Sequence, residues 1–315
     1  MSQASSVSAS AAGRYRAPSR TSGRASTARM KWPVLVLFLP PALLLFTVFV
    51  VLPMAEAAWY SFYDWNGYGL PDFSQWVGWK NYEQVFRNGV FRQALINNGL
   101  IILISVLVQV PLAIWLATMA ASKVKGAITF RLIFFLPYIL ADVAAGIIWR
   151  FVYDGDFGLV GGIAHALNLP SIYPIADKNL AIYAILGVVV WKYFGFHMML
   201  FIAGLKSIDS QVLEAADIDG ATPRQKFFLI TLPLLGSTVR LSVFFAIVGS
   251  LQLFDMVMPL TGGGPFNSTQ TMVTFLYTFG VMRMKVGFGS AVGVVLFVIC
   301  VTLAFSYKRI FMKND

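Results

Sequence analysis

Five ionisable residues occur inside long apolar stretches and are the first candidates for chemistry. They are Asp142, Lys192, His197, Arg240 and Asp255. A charge at membrane depth is costly unless it faces a cavity or a partner. The set therefore indicates a water-facing path, although Lys192 and Arg240 can also snorkel to an interface and Asp142 can cap or pair structurally.

Metal and nucleophile patterns are weak. Asp154 and Asp156 flank a glycine without further ligands nearby, which is typical of a solvated turn. His165 and His197 lie far apart without an HExxH pattern, so we expect no zinc site. The lone cysteine, Cys300, excludes an intramolecular disulfide. We expect no catalytic residue and no metal site.

A nucleotide site of the Walker A type is excluded by the sequence, because the chain contains no Gly-Lys pair. Energy for any transport must then come from another subunit or from an ion gradient. We expect no cofactor in this chain.

The elements that position these residues follow from the composition. The chain has 315 residues, of which 58% are hydrophobic and 12% charged, and its mean hydropathy is +0.72. Ordinary globular chains carry roughly 25% charged residues. The composition excludes a water-soluble enzyme, a disordered protein and a fibrous repeat, and it predicts an integral membrane protein.

Six apolar stretches are each close in length to the ~20 residues that a helix needs to cross a membrane. Strand-like alternation is missing along the sequence, so we predict an all-α protein with six transmembrane helices. The predicted spans are Pro33–Met54, Gly99–Ala120, Ile128–Phe151, Leu180–Leu205, Leu232–Leu260 and Gly287–Ser306.

The start of the chain is a basic leader. Residues 1–31 carry six basic residues and no acid, in a Ser/Ala/Gly/Arg-rich composition typical of a disordered tail. The first span precedes Ala55-Glu56-Ala57, which mimics a signal-peptidase site, but it exceeds the ~7–15 apolar residues of a signal peptide. We predict a cytoplasmic tail at 1–31 and a membrane domain at 32–315.

Orientation follows from the Lys and Arg residues near the span ends. With the N-terminus inside, 15 of them are cytoplasmic and seven are not. Both termini are therefore predicted to face the cytoplasm. The seven on the other side are Lys80, Arg87, Arg92, Arg150, Lys178, Arg283 and Lys285.

The longest cytoplasmic loop, at about 206–228, predicts two short helices joined at an angle. Asp209 or Ser210 can cap the first and Gly220 can end it. Thr222-Pro223-Arg224-Gln225 starts the second with a capping box. Its small residues would let another element approach closely, but an ordinary amphipathic connector explains the pattern equally well.

The same loop resembles a family signature. Glu214-Ala215-Ala216, Asp219-Gly220-Ala221 and Ile230-Thr231-Leu232-Pro233 are similar to the EAA loop of permease subunits in binding-protein-dependent ABC importers. The resemblance implies a type I importer permease fold and a docking surface for an ATPase subunit. That surface would comprise Glu214, Ala215, Ala216, Asp219, Gly220 and Ala221. Gly236-Ser237 stands where the family often has another proline.

A second motif narrows the resemblance. Leu260-Thr261-Gly262-Gly263-Gly264-Pro265 resembles the glycine-rich signature after span five of maltose-type permeases, and the similarity covers most of residues 33–310. Three glycines ending in proline cannot continue a helix. We predict a tight outer turn at Gly262, Gly263, Gly264 and Pro265, with a plain span-ending turn as the alternative.

The residues before this turn are the predicted substrate path. In maltose-type permeases the matching stretch lines the cavity, which implies Ser250, Gln252, Phe254 and Asp255 here. On a continuous helix Ser250 and Gln252 lie about 200° apart, whereas Ser250 and Phe254 share one face. Alternatively, Gln252 binds span five to a neighbouring helix.

Together these features favour the permease subunit of an ATP-driven sugar importer in a bacterial plasma membrane. The resemblance implies a second permease, ATPase subunits that hold ATP and Mg²⁺, a solute-binding protein and a carbohydrate. A secondary transporter, or a permease for a polyol or glycerol phosphate, is the alternative. The sequence shows no convincing catalytic site for a membrane-embedded enzyme.

Overall fold

The computed structural model describes residues 36–121 and 126–312. The predicted tail at 1–31 and the basic residues Lys123, Lys125 and Lys313 lie outside the described residues. Within the described ranges the elements are helices, and the single β-type pairing is an isolated bridge between Tyr63 and Trp76. The all-α prediction is confirmed.

The chain divides after Ala55 into two units, residues 1–55 and 56–315. The described part of the first unit is one apolar helix, which continues into the second unit as α1 (Val36–Tyr60). The remaining helices are α2 (Lys80–Arg87), α3 (Gly89–Ala121), α4 (Ala127–Ile139), α5 (Asp142–Val152), α6 (Leu159–Ala166), α7 (Ala181–Ser207), α8 (Ser210–Ile218), α9 (Pro223–Leu234), α10 (Gly236–Leu251), α11 (Val257–Thr261), α12 (Met272–Val281) and α13 (Val286–Phe311).

Four helices, α1, α3, α7 and α13, are each long and apolar enough to cross a membrane. Two bent pairs, α4 with α5 and α9 with α10, bring the number of spans to six when each pair counts as one. The predicted number is thus confirmed. The predicted continuity of spans three and five is wrong.

The breaks have local causes. Pro137 lies in the last turn of α4, and Leu140 and Ala141 are extended, so that the chain turns by 96° before Asp142 restarts the helix. Leu235, with ψ near 0°, separates α9 from α10 at a 67° bend. In span five the helix ends at Leu251, nine residues before the predicted end at Leu260.

α3 and α7 form the centre of the second unit. Ala113, Ala117, Met198 and Phe201 belong to one buried cluster where the two helices pack together. Nearer the other end of α7, Ile185 and its neighbours form a second cluster with residues between α10 and α11. A third cluster joins α3 to α12 and α13. These clusters enclose a cavity between α3, α7 and α10.

Candidate functional site

The elbow, defined as residues 209–226, is built by local hydrogen bonds. The Asp209 carboxylate accepts from the Gln211 amide at the start of α8. At its end, the Gly220 amide donates to Asp217 O and the Ala221 amide donates to Ala216 O, with Gly220 at φ +77°. This is a Schellman motif, in which the left-handed residue is usually glycine. The predicted end of the helix at Gly220 is confirmed.

The second half of the elbow also follows the sequence. Thr222 and Gln225 form a reciprocal capping box, with Pro223 as the first helical residue of α9. Lys226 forms an ion pair with Asp217, which links α9 back to α8. The helix–turn–helix geometry is thus fixed by the elbow's own residues.

The elbow residues differ in accessibility. Glu214, Ala215, Asp219 and Gly220 are exposed, and Ala221 is half-buried. Ala216 is only 6% exposed. Ala216 therefore contributes little to the accessible surface of the elbow.

The central cavity has a volume of about 490 Å³ and is bounded by α3, α7, α10, the break between α4 and α5, and the segment that follows α10. Its wall combines aromatic rings with hydrogen-bonding groups. The aromatic members are Tyr138, Tyr193, Phe196, Phe245 and Phe254, and the polar members are Ser105, Gln109, Asp142, His197, Ser250, Gln252 and Asp255. Such a wall offers flat apolar faces and hydrogen bonds to one solute.

All four predicted path residues line this cavity. Gln252 is the cap that follows α10, with φ −96° and ψ 5°, so the chain has left the helix at this residue. Ser250 and Gln252 both line the cavity, so both predicted faces of span five contribute to its wall. Ser250 is buried and donates to Ala246 O at 2.7 Å, whereas Gln252 and Asp255 are exposed.

Gln109 is a cavity residue that sequence reasoning missed. It is 2% exposed, and its Oε1 atom accepts no hydrogen bond from the residues that the structure describes. Ser105 and Gln109 bound a π-helical turn in α3, a distortion that is frequent at functional sites. A polar residue within an apolar run was the available signal.

Lys192 clamps the break between α4 and α5. It is 1% exposed, and its ammonium group lies 3.1 Å from Asp142 Oδ1. The same group donates to the carbonyls of Pro137, Tyr138 and Leu140, which the broken helix leaves unpaired. Lys192 therefore does not snorkel, and Asp142 pairs structurally while also lining the cavity.

The other two intramembrane ionisable groups are also placed. His197 is buried, and its Nδ1 atom lies 2.7 Å from the Ser242 hydroxyl on α10. Arg240 is half-buried in α10, and its carbonyl accepts from the Tyr307 hydroxyl on α13. Of the pair, only His197 lines the cavity.

The glycine-rich segment forms the predicted tight turn. Gly262 and Gly263 have φ of +61° and +82°, and the Gly264 amide donates to Thr261 O at 3.0 Å. A side chain at Gly263 would lie 2.3 Å from the Gln270 amide. The Thr269 hydroxyl donates to Gly264 O, and this hydrogen bond closes the turn between Gly264 and Thr269.

Two asparagines of α3 hold this turn to the cavity wall, and neither belongs to a recognisable sequence motif. Asn98 donates to Ser250 O at 2.7 Å and accepts from the Met272 amide at 2.8 Å. Asn97 donates to the carbonyls of Ser268 and Gln270, each at 2.8 Å. The end of α10 and the start of α12 are thereby fixed to one helix.

The Asp-Gly-Asp segment after α5 is a turn, as expected. The Asp154 carboxylate accepts from the amides of Phe157 and Asp156, and these hydrogen bonds lower the pKa of Asp154. Asp156 accepts from the Tyr173 hydroxyl, and this bond raises the pKa of Tyr173. Both carboxylates therefore stabilise the loop that contains them through hydrogen bonds.

Comparisons with known proteins agree with this architecture. The model of the family "Binding-protein-dependent transport system inner membrane component" matches residues 109–313. The sulfoquinovosyl glycerol transport system permease protein of Agrobacterium fabrum is 32% identical, over 89% of this chain and 91% of that protein. The diacetylchitobiose uptake system permease protein of Streptomyces coelicolor is 33% identical, over 88% of this chain and 81% of its own length.

The fold is also found among solved structures. A chain of a bacterial ABC transporter involved in the import of the acidic polysaccharide alginate superimposes with a TM-score of 0.80 at 21% identity, covering 92% of this chain and 98% of that one. The family match spans the second half of α3, the cavity wall, the elbow and the last span. The chain belongs to the family of inner membrane components of binding-protein-dependent transport systems.

Proposed function

We propose that this protein is a permease subunit of an ATP-driven carbohydrate importer and lines one half of the translocation path. The observation that carries the proposal is the continuous route of structure from the elbow, through α9 and α10, to the cavity wall at Ser250–Asp255. The chain itself hydrolyses nothing; ATP and Mg²⁺ are bound by a partner ATPase subunit.

The carbohydrate assignment has two supports. Two relatives are permeases for sulfoquinovosyl glycerol and diacetylchitobiose, both of which contain a sugar. The cavity combines five aromatic side chains with seven polar ones, which suits a sugar because its ring faces stack on aromatics and its hydroxyls need hydrogen-bond partners. Gln109 and Gln252 are the amide groups proposed to contact it.

The elbow is the proposed contact with the ATPase. Glu214, Ala215, Asp219 and Gly220 are exposed together on a short rigid motif. Closure of the ATPase pair would push this motif, and α9 and α10 would carry the displacement to the cavity. A second permease, a solute-binding protein and a bacterial plasma membrane complete the proposed system.

The proposed orientation places both termini in the cytoplasm, which is supported by the 15 to seven distribution of basic residues. Cysteines introduced at Asn66 and Thr222 should then react with an impermeant maleimide from opposite faces of intact cells. Labelling of both from outside would refute the orientation.

The assignment as an ATP-driven subunit is tested by co-purification. The full chain should retain an ATPase subunit in mild detergent, and Gly220→Trp should release it or uncouple it. A secondary transporter would purify without an ATPase and would take up solute on an ion gradient alone.

The sugar path is tested separately. Gln252→Ala and Gln109→Ala should lower uptake of the sugar that stabilises the cognate binding protein, with assembly and basal ATP hydrolysis unchanged. Loss of assembly in the Gln252 variant would make this residue structural, as the alternative interpretation holds. If a polyol or glycerol phosphate stabilises the binding protein instead of any sugar, the carbohydrate assignment is refuted.

A further inference from the structure

Three cationic residues from two distant parts of the sequence meet at one pocket outside the central cavity. The pocket has a volume of about 360 Å³ and lies between the end of α2 and the connection from α12 to α13. Arg87, Arg283 and Lys285 line it. Arg87 pairs with Glu83 at 2.7 Å. Among the described residues, Arg283 and Lys285 have no carboxylate within ion-pair distance, so the pocket is cationic.

One of these cations is held in place by an aromatic ring. The Arg283 guanidinium lies 3.9 Å from the centroid of the Phe279 ring, within cation–π distance. Phe279 is itself packed in the cluster of α3, α12 and α13. A guanidinium oriented in this way presents a planar set of donors that matches the oxygens of a phosphate group.

The pocket lies at the level where a membrane span begins. α13 starts at Val286, directly after Lys285, and contains no charged residue before Lys308. Its Gly287 amide donates to Trp65 O at 2.9 Å, which ties the aromatic segment after α1 to the same level. Tryptophan is enriched at the membrane–water interface. The cations therefore stand at the depth of lipid headgroups.

The rings of Phe279 and Phe288 line the pocket together with the cations, and two exposed apolar side chains neighbour lining residues in the chain. Phe86 is next to Arg87 and is 58% exposed, and Met282 is next to Arg283 and is 64% exposed. A ligand that fits both features carries an anionic head and an apolar tail. A free anion would use the cations and leave these exposed apolar side chains uncovered.

The distribution of charge adds a further reason. Arg87, Arg283 and Lys285 are three of the seven basic residues that the predicted orientation places on the non-cytoplasmic side. The rule that places basic residues inside does not account for their convergence there. We propose that this pocket binds the phosphate of an anionic phospholipid, whose acyl chains lie beside Phe86 and Met282. The proposal does not depend on which solute is transported.

The test uses the purified full chain in detergent, titrated with dioleoyl phosphatidylglycerol or dioleoyl phosphatidylcholine, with bound lipid counted by native mass spectrometry. The variant Arg283→Gln/Lys285→Gln should bind phosphatidylglycerol roughly thirtyfold more weakly, because each cation near a membrane surface contributes about a factor of five. Arg150→Gln/Lys178→Gln removes the same charge from exposed residues elsewhere and should bind normally.

A single variant and a competing anion distinguish a lipid site from misfolding and from a site for free phosphate. Lys285→Gln alone, at an exposed position, should weaken binding about fivefold and guards against misfolding of the double variant. Inorganic phosphate at the same concentration should not displace phosphatidylglycerol. The proposal is overturned if both lipids bind equally, if the control variant loses as much affinity, or if inorganic phosphate competes equally. It is also overturned if the pocket variant keeps the lipid and loses only the solute-binding protein.

Discussion

The elbow and the cavity wall are stabilised in opposite ways. The elbow is held by contacts between near neighbours in the chain, such as Gly220 with Asp217 and Thr222 with Gln225. The cavity wall is held by side chains that reach across more than fifty residues, such as Lys192 to Pro137 and Asn98 to Ser250. A local motif can move as a rigid body, whereas the wall changes shape only if buried long-range contacts rearrange.

This difference matters for transport. The elbow is exposed and self-contained, as a contact surface pushed by a partner needs to be. The wall contains the break between α4 and α5 and the end of α10, whose carbonyls accept hydrogen bonds from Lys192 and from Asn98. Substitutions in the wall should therefore affect the stability of the whole second unit. Substitutions in the elbow should affect mainly the local unfolding of the elbow. Three substitutions test this, and a fourth in an exposed turn outside both regions sets the low end, in order of decreasing effect on stability.

The largest effect is expected for Lys192→Met. The change leaves the Asp142 carboxylate and three carbonyls without their buried cation. Removing one partner of a buried ion pair costs about 3–5 kcal/mol, with the lower end applying because Asp142 is partly exposed to the cavity. Each of the three carbonyls that lose their donor adds about 1–3 kcal/mol. Thermal unfolding in detergent should show a large decrease in the melting temperature of the Lys192→Met variant. Lys178→Met, at an exposed lysine, is the control, and equal stability of both variants would refute the clamp.

Asn98→Ala should have the next largest effect. It leaves Ser250 O and the Met272 amide buried without their partner, at about 1–3 kcal/mol for each unsatisfied group. Asn66→Ala, in the exposed loop after α1, is the matched control. The account fails here if Asn98→Ala unfolds at the wild-type temperature.

Gly220→Ala should have a smaller and local effect. An alanine at φ +77° costs about 1 kcal/mol, even though its methyl group meets nothing within 4 Å. Hydrogen exchange should become about fivefold faster at the amides of Gly220's neighbours and remain unchanged in α7. Gly99→Ala, at an open helical position of α3, should instead be neutral or stabilising. The same result for both variants would contradict the Schellman motif.

The smallest effect is expected for Asp154→Ala, which removes two hydrogen bonds from an exposed turn. These bonds lower the pKa of Asp154 below its ordinary value of 3.8. A lowered pKa means stability that is present above pH 3.8 and lost as the pH falls through the folded-state value. The difference in melting temperature between wild type and variant should therefore shrink below about pH 4. A difference that does not change with pH would rule out this origin.

The comparison also explains what the sequence could predict. The elbow follows from motifs that span a few residues, so its helix ends at Gly220 and Thr222 were predictable. The number of spans followed from apolar length alone. The bend at Pro137 had a local signal, whereas the end of α10 at Leu251 did not.

The residues that hold the wall could not be predicted from spacing. Asn98 contacts Ser250 and Met272 only because the fold brings α3 beside the end of α10. Lys192 has a role only because the break in span three leaves carbonyls unpaired in front of it. A polar residue in an apolar run indicates such a position, but it does not predict which residue it contacts.

The central claim is that the elbow passes the movement of the ATPase to the cavity wall. Its most direct test is the number of sugar molecules taken up per ATP hydrolysed by the importer reconstituted in liposomes. Gly220→Trp is compared with Gly69→Trp, since both glycines have positive φ and open space around them. We predict a strongly reduced ratio for Gly220→Trp and the wild-type ratio for Gly69→Trp. A wild-type ratio for Gly220→Trp would contradict the claim.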